Sequence, residues 1–195
     1  RLMAGNARYV ADQAGHPHLT LARRTEVAGG QHPFAAILAC ADSRVAPELI
    51  FDQGLGDLFT VRVAGNVVDD AVLASLEYSV IHLGSTLIMV LGHERCGAVR
   101  ATADALAGRG DPADAGTRIA ALAGLIAPAV RTVPAGVADP VDAAVSLNAA
   151  RTAQEIFAQS APLRARVLSG DLKIVAARYD LDDGRVSPAR GGASA

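Results

Sequence analysis

Short, branched apolar runs alternate along this chain with stretches whose apolar positions recur at helical spacing. Residues 34–39, 58–63, 86–91 and 172–179 have the length and composition of buried strands. Helices are expected at 1–13, where Leu2, Met3, Tyr9 and Val10 recur, and, as a short helical or irregular piece, at 19–30. Pro47 suits the first turn of a short helix that Gly54 and Gly56 close, and Ala64-Gly65-Asn66 reads as a tight turn. The next helix, 69–83, carries Val72, Leu73, Leu76, Tyr78, Val80 and Ile81, apolar on more than one face. It should be buried on both sides, with another subunit as the second cover. Further helices are expected at 96–108, 116–130, 141–159 and 162–169, with breaks at 108–112 and 134–140. Asp182-Asp183-Gly184 turns the chain into a last short strand at 185–187, and 189–195 reads as an irregular tail.

This alternation predicts an α/β fold: a mostly parallel central sheet of four parallel strands plus an antiparallel edge strand, flanked by helices, with right-handed crossovers. A single domain is expected over 1–195, in which 1–30 forms an N-terminal helical arm.

Composition narrows the classes. The chain has 195 residues, is 51% hydrophobic and only 4% aromatic, so the core should be closely packed from small side chains. A net charge of −2, with no basic stripe, argues against a nucleic-acid surface. No apolar run approaches the roughly 18 residues of a membrane span, so no membrane partner is expected. Two cysteines do not make a disulfide framework. The cytoplasm is the expected compartment, although the sequence begins at Arg1, inside a helical pattern, and leaves room for an export segment ahead of it.

The chemistry sits where two strands end. One apolar run passes into Cys40-Ala41-Asp42-Ser43-Arg44, the other into Gly92-His93-Glu94-Arg95-Cys96-Gly97. In parallel sheets ligands bind at the carboxyl ends of strands, near the point where strand order reverses. Cys40, His93 and Cys96 supply the three ligands of a catalytic Zn²⁺ centre, one ion per chain, and leave a fourth position for water. Either cysteine alone would read as a core residue; two clusters at two strand ends point to metal. Two thiolates cancel the charge of Zn²⁺, so its water should be less acidic than one on three histidines, and activity should favour neutral to alkaline pH. Asp42 has two partners open to it, the metal or the Arg44 fork. His16, His18, His32 and His82 read as surface or packing residues, and Glu94 and Arg95 as solvated.

Cys-Ala-Asp-Ser-Arg-Val with His-x-x-Cys-Gly resembles the β-class carbonic anhydrases, and the likeness extends through residues 56–66 and Ser75-Leu76-Glu77-Tyr78-Ser79-Val80. The resemblance implies reversible hydration of CO₂ to bicarbonate and a proton, with zinc acidifying the attacking water. It implies zinc on Cys40, His93 and Cys96, and Asp42 and Arg44 as a catalytic dyad that gates the site, with Asp42 a fourth ligand only in a closed state. It also implies a homodimer or tetramer with the active site at the dimer interface. Gln31 would contact substrate there, Phe59, Ala64 and Tyr78 would line the pocket, and Gly97 would offer a backbone amide. The bicarbonate-regulated subtype has tryptophan and glycine where this chain has Ile37 and Ala39, which implies a protein without that regulatory site and with Asp42 on Arg44. The ligand set alone leaves open a hydrolase of carbonyl sulfide or carbon disulfide, and a non-catalytic zinc or redox protein in which Cys40 and Cys96 form a reversible disulfide.

Overall fold

The computed structural model describes residues 1–189. Its centre is β1 (Ala35–Ala39), whose five residues are all buried. On one side β1 pairs with β2 (Leu58–Arg62), and on the other with β3 (Leu87–His93). Beyond β3 lie β4 (Lys173–Tyr179) and β5 (Val186–Pro188), which gives the order β2-β1-β3-β4-β5. All pairs are parallel except β4 with β5, as the sequence pattern predicts.

Because side chains alternate across a strand, β1 feeds two cores. Ala36 and Leu38 pack with Ile88 and Val90 against α4 (Asp70–Ile81), α7 (Pro140–Gln159) and α8 (Ala161–Leu168), through Val72, Leu76, Ile156 and Leu163. Ala35, Ile37 and Ala39 face the other way, onto α1 (Leu2–Val10) and α3 (Pro47–Ile50) through Leu2, Ile50 and Phe51. Between these, α2 (Leu21–Val27) buries no residue. A third cluster joins Cys40 and Cys96 to Val99 of α5 (Gly97–Leu106), Ile126 of α6 (Arg118–Arg131) and Val145 of α7. Pro47 and Pro140 open α3 and α7 at first-turn positions, where no N–H is missed. No helix among the described residues is long and apolar enough to cross a membrane.

Three placements add to the sequence pattern. In this chain α4 buries one face only, through Val72, Leu76, Ser79 and Val80, while Tyr78 and Ile81 stand exposed. Helix α1 docks on the fold: Asn6 Nδ2 donates to Ile50 O and Gly184 O, and Asn6 Oδ1 accepts from Val186 N. Ala189, assigned from sequence to an irregular tail, is buried and donates its N–H to Ala176 O at 3.0 Å. The remainder of that tail, 190–195, lies outside the described residues.

Candidate metal centre

The chain passes from β1 to β2 on one side and later to β3 on the other, so strand order reverses at the carboxyl end of β1. That crevice is where an open parallel sheet binds ligands. Cys40 follows β1, His93 is the last residue of β3, and Cys96 caps the N-terminus of α5. One ligand atom from each lies within 4.8 Å of the others, and all three residues are buried. The approach is built by the tight turn Ala64–Asn66, in which Gly65 has φ of 70° and its N–H reaches Cys40 Sγ at 3.3 Å. Asn148 of α7 holds that turn by donating to Gly65 O at 2.7 Å.

The protonation pattern suits a cation. His93 Nδ1 lies 2.9 Å from Glu94 O, which can only accept, so Nδ1 carries the proton and Nε2 presents its lone pair. His93 is fully buried and Nε2 has no hydrogen-bond partner, an arrangement that costs free energy unless a cation fills it. Hydrogen bonding from Cys96 draws the Cys40 thiol down to about 4 against the opposing effect of burial, with His93 and the Gly65 N–H helping. Hydrogen bonding to Cys40, together with burial, pushes the Cys96 thiol up. The opposite directions reflect the closeness of the two sulfurs. Two soft sulfurs and an imidazole nitrogen, buried and convergent, fit Zn²⁺.

Asp42 and Arg44 form the fork anticipated from sequence. Arg44 Nε donates to Asp42 Oδ1 at 2.9 Å and Arg44 Nη2 to Oδ2 at 2.6 Å, while the Arg44 backbone N–H adds a third bond to Oδ1. The Arg44 guanidinium holds the Asp42 carboxyl well below the usual carboxylate range. Asp42 Oδ2 lies 3.8 Å from His93 Nε2, at the edge of the ligand group. Arg62 fixes the backbone here by donating to Cys40 O and Asp42 O.

The other expected site residues fall into separate places. Phe59 and Tyr78 approach each other, ring centroids 6.3 Å apart, and Tyr78 is half exposed. Ala64 is part-buried beside Gly65, Gly97 is exposed as the first residue of α5, and Gln31 is exposed ahead of β1. No hydrogen bond among the described residues joins Gln31 to the ligand group. Sequence reasoning missed Arg62 and Asn148, and it took Glu94 for a solvated residue. Glu94 Oε2 instead accepts from Leu181 N at 3.2 Å, and Arg95 donates two hydrogen bonds to Asp182. The acidic run 180–183 was visible in the sequence; its placement opposite Glu94 follows from β3–β4 pairing.

Residues 35–186 match the family described as Carbonic anhydrase. "Carbonic anhydrase 2" of Mycobacterium tuberculosis H37Rv is 44% identical over 184 residues, covering 94% of this chain and 87% of that protein. The carbonic anhydrase of Mycolicibacterium smegmatis is 40% identical over 185 residues, covering 95% and 88%. Among solved structures, the Coccomyxa β-carbonic anhydrase in complex with acetazolamide aligns with a TM-score of 0.73 at 29% identity, over 96% of this chain and 84% of that one. A tetrameric β-carbonic anhydrase from Sordaria macrospora shares the fold, with a TM-score of 0.77 at 21% identity, over 98% and 95% of the two chains.

Proposed function

The chain belongs to the β-carbonic anhydrase family, and from that premise we propose that it hydrates CO₂ reversibly at the Cys40, His93 and Cys96 centre, with Asp42 and Arg44 as its working dyad. The observation that carries this reading is the buried, unpartnered His93 Nε2 facing two buried cysteines. Zn²⁺ held there would act as a Lewis acid, making water a nucleophile near neutral pH.

The chain's own residues do the rest. Asp42, ionised and fixed by the Arg44 fork, accepts a hydrogen bond from the attacking water and sets the direction of its lone pair. The same fork keeps Asp42 off the ligand group. Phe59, Tyr78 and Ala64 supply apolar wall for a substrate without charge or dipole. Arg62 and Gly65 keep the two sides of the crevice in register.

Assembly belongs to this reading. The exposed face of α4, with Tyr78 and Ile81, is the second apolar face that the sequence pattern assigns to a partner. A dimer or tetramer covering it would bring Gln31 of one subunit toward the crevice of the other. Ile37 and Ala39, both fully buried in β1, stand where the regulated subtype has tryptophan and glycine. These placements support the subtype without a regulatory bicarbonate site.

Stopped-flow CO₂ hydration against pH, on protein of measured zinc content, tests the proposal. Turnover should track zinc and rise toward alkaline pH. One zinc per chain with no hydration at any pH would refute it.

A further inference from the structure

Between the ligands His93 and Cys96 lie two residues, Glu94 and Arg95, and both reach across to the β4–β5 hairpin. Glu94 N–H donates to Tyr179 O at 2.9 Å, which extends the β3–β4 pairing one residue past His93. Glu94 Oε2 accepts from Leu181 N at 3.2 Å, and Glu94 Oε1 lies 3.6 Å from Arg178 Nη2. Arg178 is in turn anchored by Asp142 of α7 at 2.6 Å and by Asp180 at 3.1 Å. Arg95 has φ of 51°, in the left-handed region that favours glycine, and its guanidinium grips both oxygens of Asp182 at 3.0 and 2.7 Å. The carboxylates of Glu94, Asp180 and Asp182 converge within 4.8 Å, with the guanidiniums of Arg95 and Arg178 as their partners.

The backbone carbonyl of Glu94 also accepts a hydrogen bond from His93 Nδ1–H, N···O 2.9 Å. That contact decides which ring nitrogen faces the two cysteines and how the ring is turned. The carbonyl can hold its place only as firmly as the peptide that carries it. The left-handed turn at Arg95 then delivers Cys96 to the start of α5.

We propose that Glu94 and Arg95 are positioning residues that staple the His93–Cys96 turn to the hairpin at 180–182, and that this staple slows metal release. The proposal rests on the ligand assignment above. Partners of this kind, one shell out from a metal, typically change affinity by about 10–100-fold. The Arg95–Asp182 pair is solvent-exposed, so its removal should disturb the ligand turn far more than the global fold.

The test loads wild type, E94A, E94Q and E94A/R95A with zinc and follows transfer to an excess of chromophoric chelator at one pH. The melt of each metal-free chain and the visible spectrum of each cobalt-loaded chain are recorded alongside. E94A/R95A should release zinc about tenfold faster than wild type, with shifted cobalt bands and an unchanged metal-free melt. E94Q, which keeps an acceptor for Leu181 N–H, should stay near the wild-type rate. An unchanged rate in E94A/R95A overturns the inference, as does an acceleration that E94Q shares in full or that accompanies an equally lowered metal-free melt. A wild-type chain that holds no zinc overturns the ligand assignment itself, before any variant is compared.

Discussion

Gly65 ties the backbone to the ligand group: its N–H reaches Cys40 Sγ, and its φ of 70° lies where a side chain is strained. A Cβ there would also meet Ile126 Cδ1 at 2.6 Å and Ala98 Cβ at 3.4 Å. The Ile126 side chain can move aside, but the backbone strain stays. G65A should therefore cost about 1–3 kcal/mol in urea unfolding and weaken zinc retention; wild-type values for both would show that the turn adapts freely. D42N separates metal from turnover in a different way. It should keep stoichiometric zinc, since Asp42 sits on Arg44, while CO₂ hydration falls about 10–100-fold, and equal turnover would remove the proposed role of Asp42. At this scale the ligands were legible because Cys40, His93 and Cys96 each stand at an element boundary in the sequence. Glu94, Arg178 and Asn148 were not, because their partners are set by strand pairing and helix placement rather than by neighbours in the chain.

The strands were legible as elements, since fully buried β1 and β3 write themselves as unbroken apolar runs. The docking of α1 was not, because it depends on a bare surface and a remote carboxylate. A Cβ on Gly5 would fall 1.7 Å from Phe51 O, so only glycine lets α1 lie against the end of α3. Asp52, buried and itself at φ of 47°, then receives Arg8 Nε at 2.6 Å, Gly15 N at 3.0 Å and His16 N at 2.8 Å. Burial acts to raise its pKa, but these three donors outweigh it and the carboxyl ends below the usual range. A depressed carboxylate stabilises the fold above its unfolded pKa, about 4, and loses that contribution as pH falls through the folded value. Asn tolerates the left-handed backbone and keeps the shape, so D52N removes the charge and one acceptor oxygen without requiring the chain to move. D52N should be about 1–3 kcal/mol less stable than wild type at pH 7 by urea unfolding. The gap should begin to close below about pH 4 and vanish once pH has fallen through the lower folded value. A gap that persists undiminished into acid would mean that the carboxylate's charge is not what docks α1.

For the molecule as a whole, one group of exposed apolar side chains gathers near β2. Leu19, Leu49 and Leu55 are 60%, 57% and 42% exposed and surround one cavity of about 280 Å³. Tyr78 and Ile81 of α4 add further exposed apolar surface, on the helix that packs against β2. Scattered leucines on a surface need no cause, but a group lining one cavity marks an interaction site. With 51% hydrophobic residues and a net charge of −2, little repulsion opposes self-association. A second copy is the occupant we propose for this surface, and the proposed placement of Gln31 gives the association a catalytic consequence. L49D/L55D puts two charges on the face without touching the ligands, Asp42 or Arg44. The variant should sediment as a monomer at concentrations where wild type is dimeric or larger. It should retain zinc and lose at least about tenfold in CO₂ hydration, because each crevice would lack its partner's contribution. A zinc-replete monomer with wild-type turnover would place the whole active site within one chain and remove the partner from the mechanism. A variant that stays assembled would move the interface elsewhere, leaving the α4 face to be tested next with I81K.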